Sequence, residues 1–190
     1  SCSISTRAAP ASGSRLSSAN PMDFALEAAA LLGISLRPMT DDDLPFLEAL
    51  YASTRAEEVA AVGWSPEMQQ AFLRQQHTAQ HAHYRAHYAH AAWCIVERDG
   101  EAIGRLYWRE SEADIHIIDI SLVPRSRGTG FGEALLRDMA AHAAQDGRGL
   151  TIFVEKNNPA RSLYQRLGFE PVEDHGVYDF MRRPPQSALS

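Results

Sequence analysis

The sequence has few cysteines, no long apolar run and no excess of positive charge. Of its 190 residues only two are cysteine, and Cys2 and Cys94 are not at the spacing of a metal-binding pair. Two such cysteines do not make a disulfide framework, so a reducing cytoplasm is the expected location. Since no stretch of about 18 consecutive apolar residues occurs, we expect no membrane-spanning helix.

Acidic side chains outnumber basic ones. The formal net charge is −6 at pH 7, whereas a general nucleic-acid-binding protein needs a basic face to meet the phosphates. Nucleic acid is therefore not an expected partner, and a neutral or cationic acceptor is weakly favoured. The hydrophobic content of 45% is sufficient for one soluble domain with a buried core.

Composition divides the chain into a tail, a domain and a short end. Residues 1–21 are rich in serine and alanine and have almost no large apolar side chains. We expect this segment to be disordered, because it cannot offset the entropy of ordering. Residues 22–33 predict a short helical stretch, residues 34–183 one folded domain, and residues 184–190 a C-terminal tail.

Helix and strand signals follow one another along the domain. Thr40 before three aspartates, and Ser65 before a proline, predict two helix starts. The Asp99-Gly100 pair predicts the turn of a hairpin. The predicted order is β-α-α-β-β-β-α-β-α-β-β, which indicates a mixed α/β (α+β) domain with helices flanking the sheet.

A glycine-rich turn between a strand and a helix is the sharpest signal. Gly128, Gly130 and Gly132 follow the apolar strand predicted at 115–123 and open an amphipathic helix. Glycine allows a tight turn and close approach of a ligand, and the free amides of a helix start attract anions. A Walker loop and a Rossmann fingerprint do not fit the residues or the spacing. We therefore predict a pyrophosphate site, with an ordinary glycine-rich turn as the alternative.

Two segments resemble the signatures of the GCN5-related N-acetyltransferase (GNAT) family. Arg125-x-x-Gly128-x-Gly130 is similar to the family's Arg/Gln-x-x-Gly-x-Gly/Ala, which binds the pyrophosphate of coenzyme A. The segment 157–169 is similar to the family's Asn-x-x-Ala-x-x-Leu-Tyr-x-x-x-Gly-Phe. The resemblance covers about residues 34–183 and extends to the order of the elements.

The resemblance implies a fold, a co-substrate and a set of binding residues. The fold is a mostly antiparallel sheet whose two central parallel strands splay apart. Acetyl-CoA lies in the gap as co-substrate, with no metal, and the Leu122 amide polarises its thioester carbonyl. Asn157 and Arg161 border the pantetheine and the nucleotide end. The implied cofactor-binding residues are Leu122, Val123, Arg125, Arg127, Gly128, Thr129, Gly130, Phe131, Gly132, Asn157, Arg161 and Tyr164.

Acetyl transfer to an amine requires an acid for the leaving thiolate. Tyr164 is the predicted acid, because the resemblance places it at the sulfur and a phenol stays protonated at neutral pH. The alternative for Tyr164 is an aromatic ring that only packs on its helix.

The reaction also requires a base that takes a proton from the amine. Asp119 and His116 on the strand predicted at 115–123 are the predicted bases, with Asp114 beside them. Strict alternation places Asp119 and His116 on opposite faces of the sheet, unless a bulge intervenes. An ion pair from Asp119 to an arginine of the adjacent strand, Arg105 or Arg109, is the alternative.

The sequence thus predicts transfer of acetyl from acetyl-CoA to a primary amine of a small molecule or protein, by direct attack in a ternary complex. Transfer of a different acyl group, and a non-catalytic coenzyme A-binding regulatory module, are the alternatives. Histidine pairs at helical spacing, His77 with His81 and His83 with His87, favour a solvated helix face over a zinc site. A homodimer contact on that face is left open.

Overall fold

The structure is a computed structural model and describes residues 25–185. The predicted tail 1–21 and residues 186–190 lie outside the described residues. The strands are β1 (Ile34–Pro38), β2 (Ala92–Arg98), β3 (Glu101–Glu110), β4 (Asp114–Leu122), β5 (Gly149–Glu155), β6 (Glu170–His175) and β7 (Tyr178–Arg183). The α-helices are α1 (Leu44–Ala60), α2 (Pro66–His87), α3 (Phe131–Gln145) and α4 (Arg161–Arg166).

Helix and turn boundaries follow local sequence signals. The Ser65 hydroxyl accepts a hydrogen bond from the Met68 amide at 3.3 Å, which caps α2 beside the proline at its first position. Asp99 and Gly100 have φ angles of 52° and 80°, as a tight hairpin turn between β2 and β3 requires. The predicted order of helices and strands is confirmed.

The sheet is mixed and mostly antiparallel, as predicted. Its strand order is β1-β2-β3-β4-β5-β7-β6, and β4 with β5 is the parallel pair. These two strands pair only between residues 114–117 and 149–152, although they continue to Leu122 and Glu155. Beyond Ile117 the sheet is therefore open between β4 and β5, and the carboxyl ends of both strands border the gap.

The helices pack on both faces of the sheet. Leu135 and Met139 of α3 pack with Ile117 in the main core, together with Tyr164 of α4. On the other face Tyr84 of α2 packs with Ile118. Burial of each such side chain contributes about 1.5–3 kcal/mol. The gap between β4 and β5 is thus flanked by α3 and α4 on one face and by α1 and α2 on the other.

A bulge in β4 changes which side chains share a face. Tyr107 of β3 lies opposite Asp119 and Trp108 lies opposite Ile117, so Ile118 is the extra residue. The bulge is the exception that the prediction from alternation allowed, so Asp119 and His116 do not lie on opposite faces. Both side chains point to the face that α1 and α2 cover.

The segment before β1 is fixed by one buried carboxylate of α3. Asp138 accepts hydrogen bonds from the amides of Ala28 and Ala29 at 2.8 and 2.9 Å. The described part of the helical stretch predicted at 22–33 contains a short 3₁₀ helix, Ala30–Leu32. Within residues 25–185 the structure has no helix with the length and apolarity needed to span a bilayer.

Candidate active site

Six consecutive backbone amides at the start of α3 donate to no acceptor within residues 25–185. They belong to residues 128–133, and the next amide, that of Ala134, makes the first helical bond to the Gly130 carbonyl at 3.0 Å. Gly128 and Gly130 have φ angles of 71° and 87°, a left-handed backbone that favours glycine. The Thr129 hydroxyl fixes the turn by donating to the Ser126 carbonyl at 2.8 Å. Free amides backed by a helix dipole form a site for a phosphate.

A cleft of about 420 Å³ adjoins these amides. One wall is the turn before α3 and the other is the segment that leads into α4. The cleft reaches the end of β4 at Leu122, so it opens into the gap between β4 and β5. Its lining residues are Leu122, Ser126, Arg127, Gly128, Gly130, Gly132, Glu133, Pro159, Ala160, Ser162, Leu163 and Arg166.

The Leu122 amide faces the gap. The Val123 amide donates to the Ile103 carbonyl of β3 at 2.8 Å, so it points away from the gap. Successive amides of an extended strand alternate in direction, and the Leu122 amide therefore points towards β5, which does not pair at this level. The Val123 carbonyl is also engaged, because it accepts from the Ser126 amide at 2.9 Å. Of these two predicted cofactor-binding residues, Leu122 presents its amide to the gap and Val123 does not.

Arg125 and Arg127, two of the predicted cofactor-binding residues, have different environments. Arg127 lines the cleft and donates to the Leu122 carbonyl at 2.9 Å, and its other end donates to the Ser53 hydroxyl at 2.9 Å. It therefore connects the end of β4 to α1. Arg125 is exposed and pairs with Glu101 at 2.5 Å, outside the cleft lining.

The second motif places its residues in three environments. Asn157 lines a separate pocket that also includes Glu155. Arg161 pairs with Asp179 of β7 at 2.5 Å. Tyr164 is fully buried in the core, where its ring centroid lies 5.7 Å from that of Phe169. Tyr164 itself does not line the cleft, whereas its neighbours in α4 do.

Asp119 lies in a buried polar network. Its carboxylate accepts from Arg105 at 2.7 Å, from Tyr84 at 3.1 Å and from Ser121 at 2.8 Å, and it has no exposed surface. Burial disfavours the charged form of Arg105, but the Asp119 carboxylate outweighs this and raises the pKa of the guanidinium. The structure thus contains the ion pair between Asp119 and Arg105, which was the alternative to a role of Asp119 as the base.

His116 is enclosed on the same face of the sheet. Its Nδ1 lies 3.0 Å from the Thr151 hydroxyl, and its Nε2 is buried with no partner in the described part of the chain. The ring packs between Phe153 and Phe180. Burial, with a smaller effect from Arg109, lowers the pKa of His116 to about 3, so the ring is neutral at pH 7.

Acid should destabilise the protein through this histidine. Because the folded pKa of about 3 lies below the unfolded value of 6.5, only the unfolded chain gains a proton as the pH falls below 6.5. The stabilisation is present above pH 6.5 and is lost towards pH 3, with a loss on the order of 2 kcal/mol at pH 5. We expect His116→Phe to flatten the dependence of the unfolding free energy on pH, measured by urea titration at pH 7 and 5. If the unfolding free energy of His116→Phe depended on pH as steeply as that of the wild type, the lowered pKa of His116 would be contradicted.

A second pocket, of about 330 Å³, lies beside the cleft. Pro159 lines both, and Ser53, which Arg127 contacts, immediately precedes the part of α1 that forms the pocket wall. The pocket therefore adjoins the end of the cleft at the Leu122 amide. Its lining residues are Thr54, Arg55, Glu57, Glu58, Glu155, Asn157, Asn158 and Pro159.

Glu155 is the residue of this pocket that sequence reasoning missed. It ends β5, across the gap from the end of β4. Arg55 lies 3.6 Å from its carboxylate, and the Tyr178 hydroxyl donates to it at 3.3 Å. The alternation of β5 was the available signal: Ile152 and Val154 enter the core, so Glu155 must face α1.

The histidines of α2 lie in different environments. His77 is buried and burial lowers its pKa to about 4, while His83 and His87 stack with their ring centroids 4.1 Å apart. Among residues 25–185 no group of three or more potential ligands is arranged to hold a metal ion.

Comparisons of sequence find relatives among acetyltransferases. The mycothiol acetyltransferase of Corynebacterium glutamicum (strain R) is 34% identical over 90 residues, which are 43% of this chain and 29% of that protein. The N-alpha-acetyltransferase of Sulfurisphaera tokodaii is 29% identical over 98 residues, 44% of this chain and 59% of that protein. This chain thus spans less than two thirds of either relative.

Structural similarity supports the same assignment of fold. The crystal structure of PaiA N-acetyltransferase from Thermoplasma acidophilum in complex with coenzyme A superposes with a TM-score of 0.59 at 17% identity. The match covers 80% of this chain and 98% of that one. The profile of the Acetyltransferase (GNAT) family matches residues 47–169. With that match over more than half of its length, the chain belongs to the GNAT acetyltransferase family.

Proposed function

We propose that this protein is an N-acetyltransferase that transfers the acetyl group of acetyl-CoA to a primary amine. The observation that carries the proposal is the row of six free amides at residues 128–133 along a cleft that opens into the gap between β4 and β5. Such a row of amides suits the diphosphate of coenzyme A. The splayed sheet offers a strand edge along which the pantetheine arm, which contains amides, can lie.

The end of β4 supplies the donor for the reacting carbonyl. The Leu122 amide faces the gap, where it can donate to the thioester oxygen and stabilise the charge that develops there. Arg127 holds the Leu122 carbonyl at 2.9 Å, which fixes the direction of this strand end. A preorganised donor needs no rearrangement during the reaction, and removing one such donor typically costs about 10²–10³ in rate.

The pocket at Glu155 is the proposed acceptor site. Three carboxylates, Glu57, Glu58 and Glu155, line it against one guanidinium, Arg55. This balance favours a protonated amine, which is the main form of an amine with a pKa near 10. Glu155 lies at the carboxyl end of β5, so its carboxylate can take the proton, directly or through water, before the amine attacks.

Tyr164 remains the predicted acid for the leaving thiolate. Its motif position in α4 and its neutral hydroxyl support the role. Its complete burial means that the sulfur has to reach the hydroxyl from the cleft side of α4.

Release of free thiol from acetyl-CoA tests the proposed reaction. A panel of acceptors with matched size should include monoamines, diamines, amino acids and a peptide with a free N-terminus. We expect amine-dependent thiol release and a product heavier by one acetyl group, with cationic acceptors preferred over amino acids. Cofactor binding without thiol release for any amine would favour the non-catalytic module, and release with a longer acyl-CoA alone would favour a different acyl group.

Glu155→Gln should lower kcat by about 10²–10⁴ at neutral pH, the usual contribution of a positioned base. The deficit should shrink as the pH approaches 10, where the amine is already neutral. Affinity for coenzyme A should be unchanged, because the residue lies outside the cleft lining. Glu57→Gln removes the same charge from the pocket and is the matched control; it should raise the acceptor KM and leave kcat near the wild-type value. A pH-independent deficit in Glu155→Gln would rule out proton transfer to this residue.

A further inference from the structure

A further cavity lies outside the parts of the site discussed so far. It has a volume of about 500 Å³ and lies between α3, the end of α4 and the end of β7. Its lining residues are Leu136, Arg137, Ala140, Ala141, Arg166, Leu167, Gly168, Arg183, Pro184 and Pro185. The titratable side chains in this lining are three arginines, one from each of the three elements.

The arginines exceed the carboxylates near them. Among residues 25–185, Glu133 is the carboxylate that lies near these arginines: it pairs with Arg137 at 2.7 Å and lies 4.0 Å from Arg166. The Arg183 Nε donates to the Leu167 carbonyl at 2.8 Å, which orients this guanidinium beside the cavity. Burial, with a smaller effect from Arg137, lowers the pKa of Arg183. Guanidinium groups that converge without enough carboxylates are suited to a doubly charged anion, because each can donate paired hydrogen bonds.

The cavity adjoins the proposed cofactor cleft. Arg166 lines both of them, and Glu133 lies between them on α3. Arg137 follows the first residue of α3, Phe131, by six positions, which places it roughly 9 Å along the helix from the free amides. In coenzyme A the diphosphate and the 3′-phosphate are attached to the same ribose. A diphosphate held at the start of α3 therefore leaves the 3′-phosphate within range of this cavity.

We propose that the cavity formed by Arg137, Arg166 and Arg183 binds the ribose 3′-phosphate of the acyl carrier and makes the enzyme select the phosphorylated carrier. The inference rests on the proposed function, because it assumes that the diphosphate lies on the amides of residues 128–133. It assigns to the three arginines a role in carrier specificity and none in acetyl transfer. The exposed side chains of Arg137 and Arg166 carry most of the ionic contact, and Arg183 forms the base of the cavity.

Calorimetric titration of the full chain with coenzyme A and with 3′-dephospho-coenzyme A tests the proposal. The two ligands differ only in the phosphate, and charge-assisted hydrogen bonds of this kind correspond to roughly 10- to 100-fold in affinity. We expect coenzyme A to bind the wild type more tightly by that factor, and the preference to diminish as the salt concentration rises. Equal affinity of the two ligands would overturn the inference and leave the diphosphate site intact. Failure of both to bind would overturn the proposed function as well.

Charge-neutral variants locate the contact. Arg137→Gln/Arg166→Gln changes two exposed side chains and should reduce the preference, which is the ratio of the two affinities, to within a few-fold of unity. Arg182→Gln is the matched control, since this exposed arginine of β7 lies outside the cavity lining; it should retain the wild-type preference. A preference that survives in the double variant would place the phosphate elsewhere and refute the assignment.

Discussion

Replacing Gly128 with aspartate is expected to abolish binding of acetyl-CoA. The residue lies in the row of free amides, and no heavy atom of the described residues beyond its two chain neighbours lies within 4 Å of the position that a Cβ would occupy. An added side chain therefore projects into open space beside the diphosphate site, and its carboxylate repels the diphosphate. Loss of the charge-assisted bonds together with like-charge repulsion should weaken binding at least about 10³-fold. Calorimetry with coenzyme A measures the loss.

Two controls separate the charge from backbone strain. Gly128→Ala adds the same strain at a φ of 71° without a charge and should weaken binding much less. Gly147→Asp introduces aspartate at a similar φ of 66°, also with nothing within 4 Å, at the opposite end of α3. It should bind coenzyme A normally. Wild-type affinity in a folded Gly128→Asp protein would remove the amide row as the diphosphate site.

Local signals were sufficient to predict the order of helices and strands. The cap at Ser65, the Asp99-Gly100 turn and the glycine-rich start of α3 each depend on a few neighbouring residues. The splayed parallel pair is different, because it depends on strands that are distant in sequence. It was expected from the resemblance to the family, and the pairing of β4 with β5 over only four residues is consistent with it.

The details of the site were less predictable, for physical reasons. A single extra residue at Ile118 moves Asp119 to the face of His116, and the choice of a bulge depends on how β3 packs against β4. The network around Asp119 includes Tyr84 of α2, a contact across 35 positions that no local pattern indicates. The alternation of side chains along β5 could have predicted the direction of Glu155. Its contact with Arg55 could not be predicted in this way, because Arg55 comes from α1, about 100 positions earlier.

Asp119→Asn tests whether this residue is a base or half of a buried ion pair. The change leaves the Arg105 guanidinium buried without a counter-charge, and removing one partner of such a pair costs about 3–5 kcal/mol. For a domain of this size we expect Tm to fall by roughly 10 °C. The matched control is Asp146→Asn, which removes an exposed carboxylate from Arg148. Arg148 keeps its second partner, Glu110, so this change should cost less than about 1 kcal/mol.

Activity measured per folded molecule completes the test. A carboxylate that accepts three protein hydrogen bonds and has no exposed surface is a poor receiver for a proton from a bound amine. We therefore expect Asp119→Asn to retain kcat within about tenfold at a temperature where it is folded, in contrast to Glu155→Gln. If stability were unchanged and kcat fell by about 10² or more, Asp119 would be the base. We expect the double variant Arg105→Met/Asp119→Leu to regain the stability that Asp119→Asn loses. Replacing both charges of a buried ion pair by apolar groups leaves no buried charge without a partner.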